Sequence, residues 1–551
     1  MSDSNRPPAP APAPALAPSG SPAPAEARAR AHDAASASLA RGARRVSALT
    51  MMSRLLGLVR EQIFALTLGA GSTSDAFLAA FRIPNLLRDL FAEGALSTAF
   101  VPTYVRTLKE GGRAAAFALA NRVLTTLTVY LGAVAGLAML FPGPVVHVVA
   151  SGFSADKAEL TSSLVRIMMP FLPTISLAVV AMGALNAEER YTTPALASSM
   201  FNLVAILGGS AIWLLHPTSR IAVFGWAAMT LVGGVAQLGV QLPPLWRLGF
   251  RPRFLPDLGL RDPGTRRIAA LMAPATLGVA AVQINVVVST AFASHGAPGA
   301  ISWLGYAFRL MQLPIGVFGV AISTTSLTQL SRDAAAGDRE ALTATLRRGL
   351  QMVLFLTVPS TVGLAILGEP IIRLIFEHGR FSSRATVETA RALSGYTLGL
   401  VAYSAIKVVA SAFYAIGRTR VPLAASVSAV AANLVWNVVT FRWLGHMGLA
   451  LGTSIAAIVN LAVLLVALHL QVGRVVDRSL LGASLRILAS SAVMASLLWP
   501  IELGLRRALP HGLLSNAACV LVPVGVGVAA YFASARLFKI AEATSLLRRL
   551  R

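Results

Sequence analysis

Residues 82–102 read RIPNLLRDLFAEGALSTAFVP. Arg82, Arg88, Asp89 and Glu93 stand inside an otherwise apolar run, in a chain whose mean hydropathy is +0.69. A charged group in a bilayer is costly unless it faces protein or water. Such a stretch is therefore either no membrane helix at all or one turned toward a hydrated interior. The rest of the chain decides between the two.

Of its 551 residues, 55% are hydrophobic and only 13% charged, against about a quarter charged in soluble domains. Apolar stretches of about 20 residues recur to the end, as repeated bilayer crossings require. The pattern predicts fourteen spans: 46–70, 75–105, 115–141, 160–186, 194–215, 221–246, 268–294, 300–331, 342–367, 386–417, 421–441, 446–472, 482–505 and 513–535. Before them lies RPPAPAPAPALAPSGSPAPAEARARAH, whose Pro/Ala repetition buries no core and reads as a disordered arm over residues 1–45. It has no apolar signal-peptide core, so the first span is expected to direct insertion. Cys519 is the one cysteine, which excludes a disulfide framework and a cysteine metal site.

The formal charge of +24 invites a nucleic-acid reading, but the cations are sorted by loop. With the N-terminus cytoplasmic, the inner loops hold 20 Lys and Arg and the outer loops 8. This asymmetry predicts both termini inside and removes the need for a nucleic-acid partner. Six of the histidines fall singly in outer loops without metal-ligand spacing. No metal, cofactor or catalytic group is indicated.

Sliding the chain against itself by 227 residues aligns AAFRIPNLLRDLFAEGALST (79–98) with YAFRLMQLPIGVFGVAISTT (306–325). Arg82 meets Arg309, Asn85 meets Gln312 and Phe91 meets Phe318. Farther on, at a spacing of 228, Arg190 pairs with Arg418 and Pro194 with Pro422. A period of six spans keeps both halves in one orientation, related about an axis along the membrane normal. The predicted fold is an all-α polytopic membrane protein with two pseudo-symmetric six-helix lobes and two extra C-terminal helices. The expected divisions are an N-lobe at 46–246, a basic linker at 247–267, a C-lobe at 268–472, and spans thirteen and fourteen with a basic tail at 473–551.

Eight cations fall within spans: Arg54, Arg60, Arg82, Arg88, Arg166, Arg309, Arg391 and Lys407. The acids there are Glu61, Asp75, Asp89 and Glu93. Arg166 and Arg391, near span ends, read as snorkelling side chains. At 100° per residue, Asp75, Arg82, Asp89 and Glu93 share one narrow face, which points that face inward. Arg82 also reads as a structural partner of Asp75 or Asp89, and Lys407 either as a site residue or as half of an internal salt bridge. The surplus of cations predicts a cavity selective for anions, and arginine's planar fork suits phosphate.

The run MMSRLLGLVREQIFALTLGAGSTSDAFLAAFRIPNLLRDLFAEGALSTAFVPTYV (51–105) closely resembles the MurJ/MviN family of lipid II flippases, and SWLGYAFRLMQLPIGVFGVAI (302–322) resembles that family's eighth helix. The likeness spans about residues 46–540. It implies the multidrug/oligosaccharidyl-lipid/polysaccharide exporter superfamily and alternating access in the bacterial inner membrane. It also implies polyprenyl-diphosphate-linked lipid II as substrate and the cell-wall synthesis machinery as partner. By this resemblance Arg54, Arg60, Arg88 and Arg309 are the functional arginines; Asp75, Asn85, Glu93 and Ser302 match motif positions, and Lys407 a tenth-helix lysine. With Gln312 from the repeat, the expected substrate ligands are Arg54, Arg60, Asn85, Arg88, Ser302, Arg309, Gln312 and Lys407. Glu61, Asp75, Arg82, Asp89 and Glu93 are expected to pair with the cations when the site is empty. Two positions depart from the pattern: Phe308 replaces an acid, and Asp89 a second basic residue. The last two helices are expected to hold the lipid tail. An exporter of another polyprenyl-linked glycan or a drug is the alternative. A membrane phosphatase or glycosyltransferase would need an acid cluster or histidine base at the membrane face, whereas the one tight acid pair, Asp89 with Glu93, is flanked by cations inside a span and has no histidine beside it.

Overall fold

The computed structural model describes residues 25–93, 95–255, 262–510 and 512–544, with residues 25–45 described by backbone alone. Helix α1 (Ala25–Leu68) is followed by α2 (Ser72–Arg88), a π turn (Asp89–Glu93) and α3 (Ala95–Leu140). Then come α4 (Pro142–Val149), α5 (Ala155–Met168), α6 (Phe171–Ala187), α7 (Thr192–Leu214), α8 (Ser219–Gly239) and the short α9 (Leu242–Arg247). The second half runs α10 (Pro263–Ser294), α11 (Ala300–Pro314), another π turn (Ile315–Gly319), α12 (Val320–Ala335), α13 (Arg339–Phe376), α14 (Ser383–Ala415) and α15 (Arg420–Gln471). Helices α16 (Arg478–Ala508) and α17 (Leu513–Leu537) follow.

Every regular element among the described residues is helical, and ten helical segments are long and apolar enough to cross a membrane. Two of these are not continuous: α3 turns at Gly112 (φ +72°) and α15 at Gly445 (φ +52°). Helix makes up most of the described part of each of the fourteen predicted stretches, with short turns at 169–170 and 240–241. One expectation needs correcting. Helix α1 begins at Ala25, well inside the segment expected to be disordered. Residues 25–45 are rich in Ala and Arg, both strong helix formers, whereas the Pro-rich repetition ends before them. The tail at 1–24 and the linker residues 256–261 lie outside the described residues.

The repeat is written into the backbone as well. Left-handed residues recur in pairs close to the sequence spacing: Gly69 with Gly299, Gly112 with Gly337, Glu189 with Gly417, His216 with Gly445, and Gly249 with Gly473. The π turns also begin at matching places, at Asp89 and at Ile315, one residue before Gly316, which is aligned with Asp89. At Glu189 and His216 the first half carries a side chain where the second has glycine. A left-handed non-glycine residue costs roughly 1–2 kcal/mol. Gly417 has open space around it, so Gly417→Val should lower stability by about that amount through the backbone alone. Glu189→Gly should be near neutral, since relieved strain is offset by about 0.4–1 kcal/mol of glycine's unfolded-state entropy. Thermal unfolding of the purified variants measures both.

The apolar cores show how the halves meet. At the end bearing the loops around Gly69, Gly299 and Gly379, one core joins both halves. Phe64, Phe77 and Trp226 from the first belong to the same cluster as Tyr306, Phe376 and Phe381 from the second. At the opposite end the apolar cores are separate, one around Phe100 and Tyr104, to which the start of α10 adds Ile268, and one around Val408 and Phe413. The halves are thus fused at one end, here called the sealed end. Helices α16 and α17 pack on α13 and share a separate core with it, around Phe355 and Tyr531.

Candidate functional site

Between the halves lies a cavity of about 530 Å³. Its charged lining is Arg60 and Glu61 from α1, Arg82 and Arg88 from α2, and Arg309 from α11. Four guanidinium groups therefore face one carboxylate. Asn85, Ser302 and Gln312 also line it, together with Ser198 and Asn202 of α7 and Gln237 of α8. Aromatic walls come from Phe81, Phe171, Phe201 and Phe308.

Glu61 is the hub. Its Oε1 accepts from Arg60 at 2.5 Å and pairs with Arg309 at 3.0 Å, so one carboxylate joins the first half to the second. Phe308 occupies the position of the family's usual acid and packs on Tyr396; the acid for Arg309 comes from α1 instead. Arg60 also donates to Asn202 Oδ1 at 3.0 Å, while Asn202 Nδ2 donates to the Ser53 carbonyl. The Arg60 guanidinium lies 5.5 Å from the centre of the Phe201 ring. Asn202, an amide within an apolar run, was signalled in the sequence only by being polar there, and an inventory of charges passes over it.

At the far end of α2, Arg88 binds Asp89 through Nε (3.1 Å) and Nη2 (2.8 Å), and Gln283 of α10 donates to Asp89 Oδ2 at 2.9 Å. The expected inward stripe does not survive intact. Arg82 lines the cavity, but the π turn at Asp89–Glu93 adds a residue to the register after α2. The single-angle projection from Asp75 to Glu93 therefore fails beyond Arg88. The Glu93 side chain lies outside the described residues.

Asp75 is a second correction. It is 1% exposed and lies off the cavity wall, at the sealed end. Its carboxylate accepts from Lys157 Nζ (3.0 Å), from the backbone N–H groups of Gly299 (2.7 Å) and Ser302 (2.9 Å), and from Ser302 Oγ (2.7 Å). A carboxylate from one half thus caps the N-terminus of α11 in the other, where N–H groups and the helix dipole favour an anion. Its partner is Lys157, near the start of α5, and no cavity arginine. Ser302 has its hydroxyl committed to this contact.

The sealed end has a further clasp that sequence reasoning missed. Arg380, in the loop before α14, donates its backbone N–H to the Leu66 carbonyl and its guanidinium to the carbonyls of Thr67 and Pro217. These are main-chain oxygens at and near helix ends, which leave no residue-type signal in the sequence. Gly69 (φ +68°) and Gly379 (φ +60°) let the strands meet: a Cβ on either would come within 2.3 Å of the Arg380 carbonyl oxygen and 2.5 Å of the Leu66 oxygen, respectively. Arg54 and Lys407 are exposed and line none of the cavity. A Cβ on Gly316 would sit 2.9 Å from Arg54 Nη1, which places Arg54 between α1 and the second π turn, on the side of the cavity away from the sealed end.

Residues 64–509 match the family model described as lipid II flippase MurJ. The chain belongs to the MurJ family. It is 34% identical over 508 residues to a probable lipid II flippase MurJ of Vibrio cholerae, covering 90% of this chain and 96% of that one. It is 35% identical over 436 residues to the lipid II flippase MurJ of Burkholderia cenocepacia, covering 78% and 84%. Among solved structures it resembles a lipid II flippase MurJ in an inward closed conformation, with a TM-score of 0.76 and 27% identity over 90% of this chain and 98% of that one. An inward-facing multidrug transporter of the wider superfamily shares the fold alone, with a TM-score of 0.63 at 16% identity, over 81% of this chain and 98% of its own. Members of the MurJ family are named as transporters, and a multi-pass place in the bacterial inner membrane follows.

Proposed function

We propose that the chain carries lipid II, the polyprenyl-diphosphate-linked peptidoglycan precursor, from the inner to the outer leaflet of the cytoplasmic membrane by alternating access. The observation that carries this reading is the cavity: four arginines against one carboxylate, between the halves of a membrane protein of this family. A diphosphate is a compact polyanion whose oxygens match the guanidinium fork. Arg60, Arg88 and Arg309, with Asn85 and Gln312, hold the head group. Glu61 and Asp89 neutralise the arginines when the site is empty and are displaced by substrate. Asp75 belongs to the clasp at the sealed end, and Ser302, although on the cavity wall, gives its hydroxyl to that clasp. Arg54 stands about 9 Å along α1 from Arg60, at the mouth, and Lys407 takes no part in holding the head group. Depleting the protein in its host and tracing lipid II across the membrane tests the function: the precursor should accumulate in the inner leaflet and recover with the wild-type chain.

The cation bias supports fourteen crossings in two lobes (46–246 and 268–472), with both termini cytoplasmic and the sealed end facing outward. Helices α16 and α17 then hold the lipid tail, and the cell-wall synthesis machinery receives the head group outside. A single cysteine at Ala297 should react with an impermeant thiol reagent in intact cells, while one at Arg266 should stay protected. The opposite labelling pattern would reverse the orientation and the direction of transport.

A further inference from the structure

The repeat that pairs Arg82 with Arg309 and Asn85 with Gln312 brings all four side chains to the wall of one cavity. Each half therefore offers the same arm: an arginine and, one helical turn on, an amide. A diphosphate has a matching near-symmetry, two phosphoryl groups about a bridging oxygen. We propose that the two arms form a clamp that takes one phosphoryl group each, so that this site selects polyprenyl diphosphates over polyprenyl monophosphates. This rests on the lipid-diphosphate reading above and adds which residues count the phosphoryl groups.

The arms are not equally ready. Arg309 is bound to Glu61 at 3.0 Å, and Arg60 and Arg88 also hold carboxylates. Arg82 makes no hydrogen bond or ion pair among the described residues, and its Nε is buried without a partner. The first phosphoryl group meets Arg82 with no ion pair to break. The second then draws Arg309 away from Glu61 and engages the other half. A lone phosphoryl group fills one arm and leaves Arg309 on Glu61.

The test is a competition between undecaprenyl diphosphate and undecaprenyl monophosphate for the purified full-length protein, with bound fractions read by native mass spectrometry. Wild type should favour the diphosphate. Arg82→Gln should weaken diphosphate binding about tenfold or more, the worth of a charge-assisted hydrogen bond, and monophosphate binding far less, so that the preference collapses. Arg82→Lys separates the clamp from a general positive field. The clamp requires the preference to stay depressed because the planar fork is gone; restoration of the preference by lysine would overturn it. Equal weakening of both lipids by Arg82→Gln would overturn it too, while leaving the lipid-diphosphate reading standing. Failure of wild type to bind either lipid would instead bring down that reading. Asn85→Ala and Gln312→Ala should lower the preference alike, and an effect confined to one of them contradicts the two-arm scheme.

Discussion

Arg309→Ala should abolish complementation of a depleted strain and leave the protein folded in the membrane. The geometry separates the two effects. In the empty cavity Glu61 keeps Arg60 when Arg309 is lost, so no buried carboxylate is orphaned and the helices remain satisfied. What disappears is a diphosphate donor from the second half, and with it on the order of 3 kcal/mol of binding, or roughly two orders of magnitude. Arg309→Lys keeps the charge without the fork and should rescue partly. Growth, lipid II accumulation and abundance by immunoblot are the measurements. Normal growth of the Ala variant at normal abundance would make Arg309 a structural residue and remove it from the site.

Asp75→Ala should open the sealed end. Its carboxylate accepts from four donors, three of them on the other half. Removing one partner of a buried ion pair costs about 3–5 kcal/mol. In a state open at this end the stranded Lys157 and the α11 N–H groups meet water, so the cost falls on the sealed state alone. The equilibrium should move toward the open form by about a hundredfold or more. Spin labels at Ser151, in the loop before α5, and at Ser383, the first residue of α14 in the other half, should show a longer distance in the Asp75→Ala variant, and a smaller change in Asp75→Asn, which retains an acceptor. An unchanged distance distribution would mean that the shared apolar core alone holds this end shut.

Much of the molecule was readable from sequence because bilayers impose crude rules. Apolar runs had to be about 20 residues long, cations had to be sorted by side, and buried charges had to face one another. Those rules pointed to Arg60, Arg82, Arg88 and Arg309, the internal repeat added Asn85 and Gln312, and all six line the cavity. They gave no access to partners chosen by three-dimensional path. That Glu61 would reach Arg309 across the halves, or Asp75 choose Lys157 over Arg82, depends on which helices pack side by side, and that leaves little trace in composition. Arg380 was opaque for another reason: it binds carbonyls, which every residue possesses.

That last contact has a genetic consequence. A defect caused by a larger residue at Gly69 or Gly379 cannot be suppressed by shrinking the side chain it strikes, because the obstacle is a main-chain oxygen. All twenty amino acids at position 380 or 66 would present the same atom. Second-site revertants of such alleles should therefore map to changes that re-route a loop, by insertion, deletion or a new glycine or proline, and never to simple replacements at the point of collision.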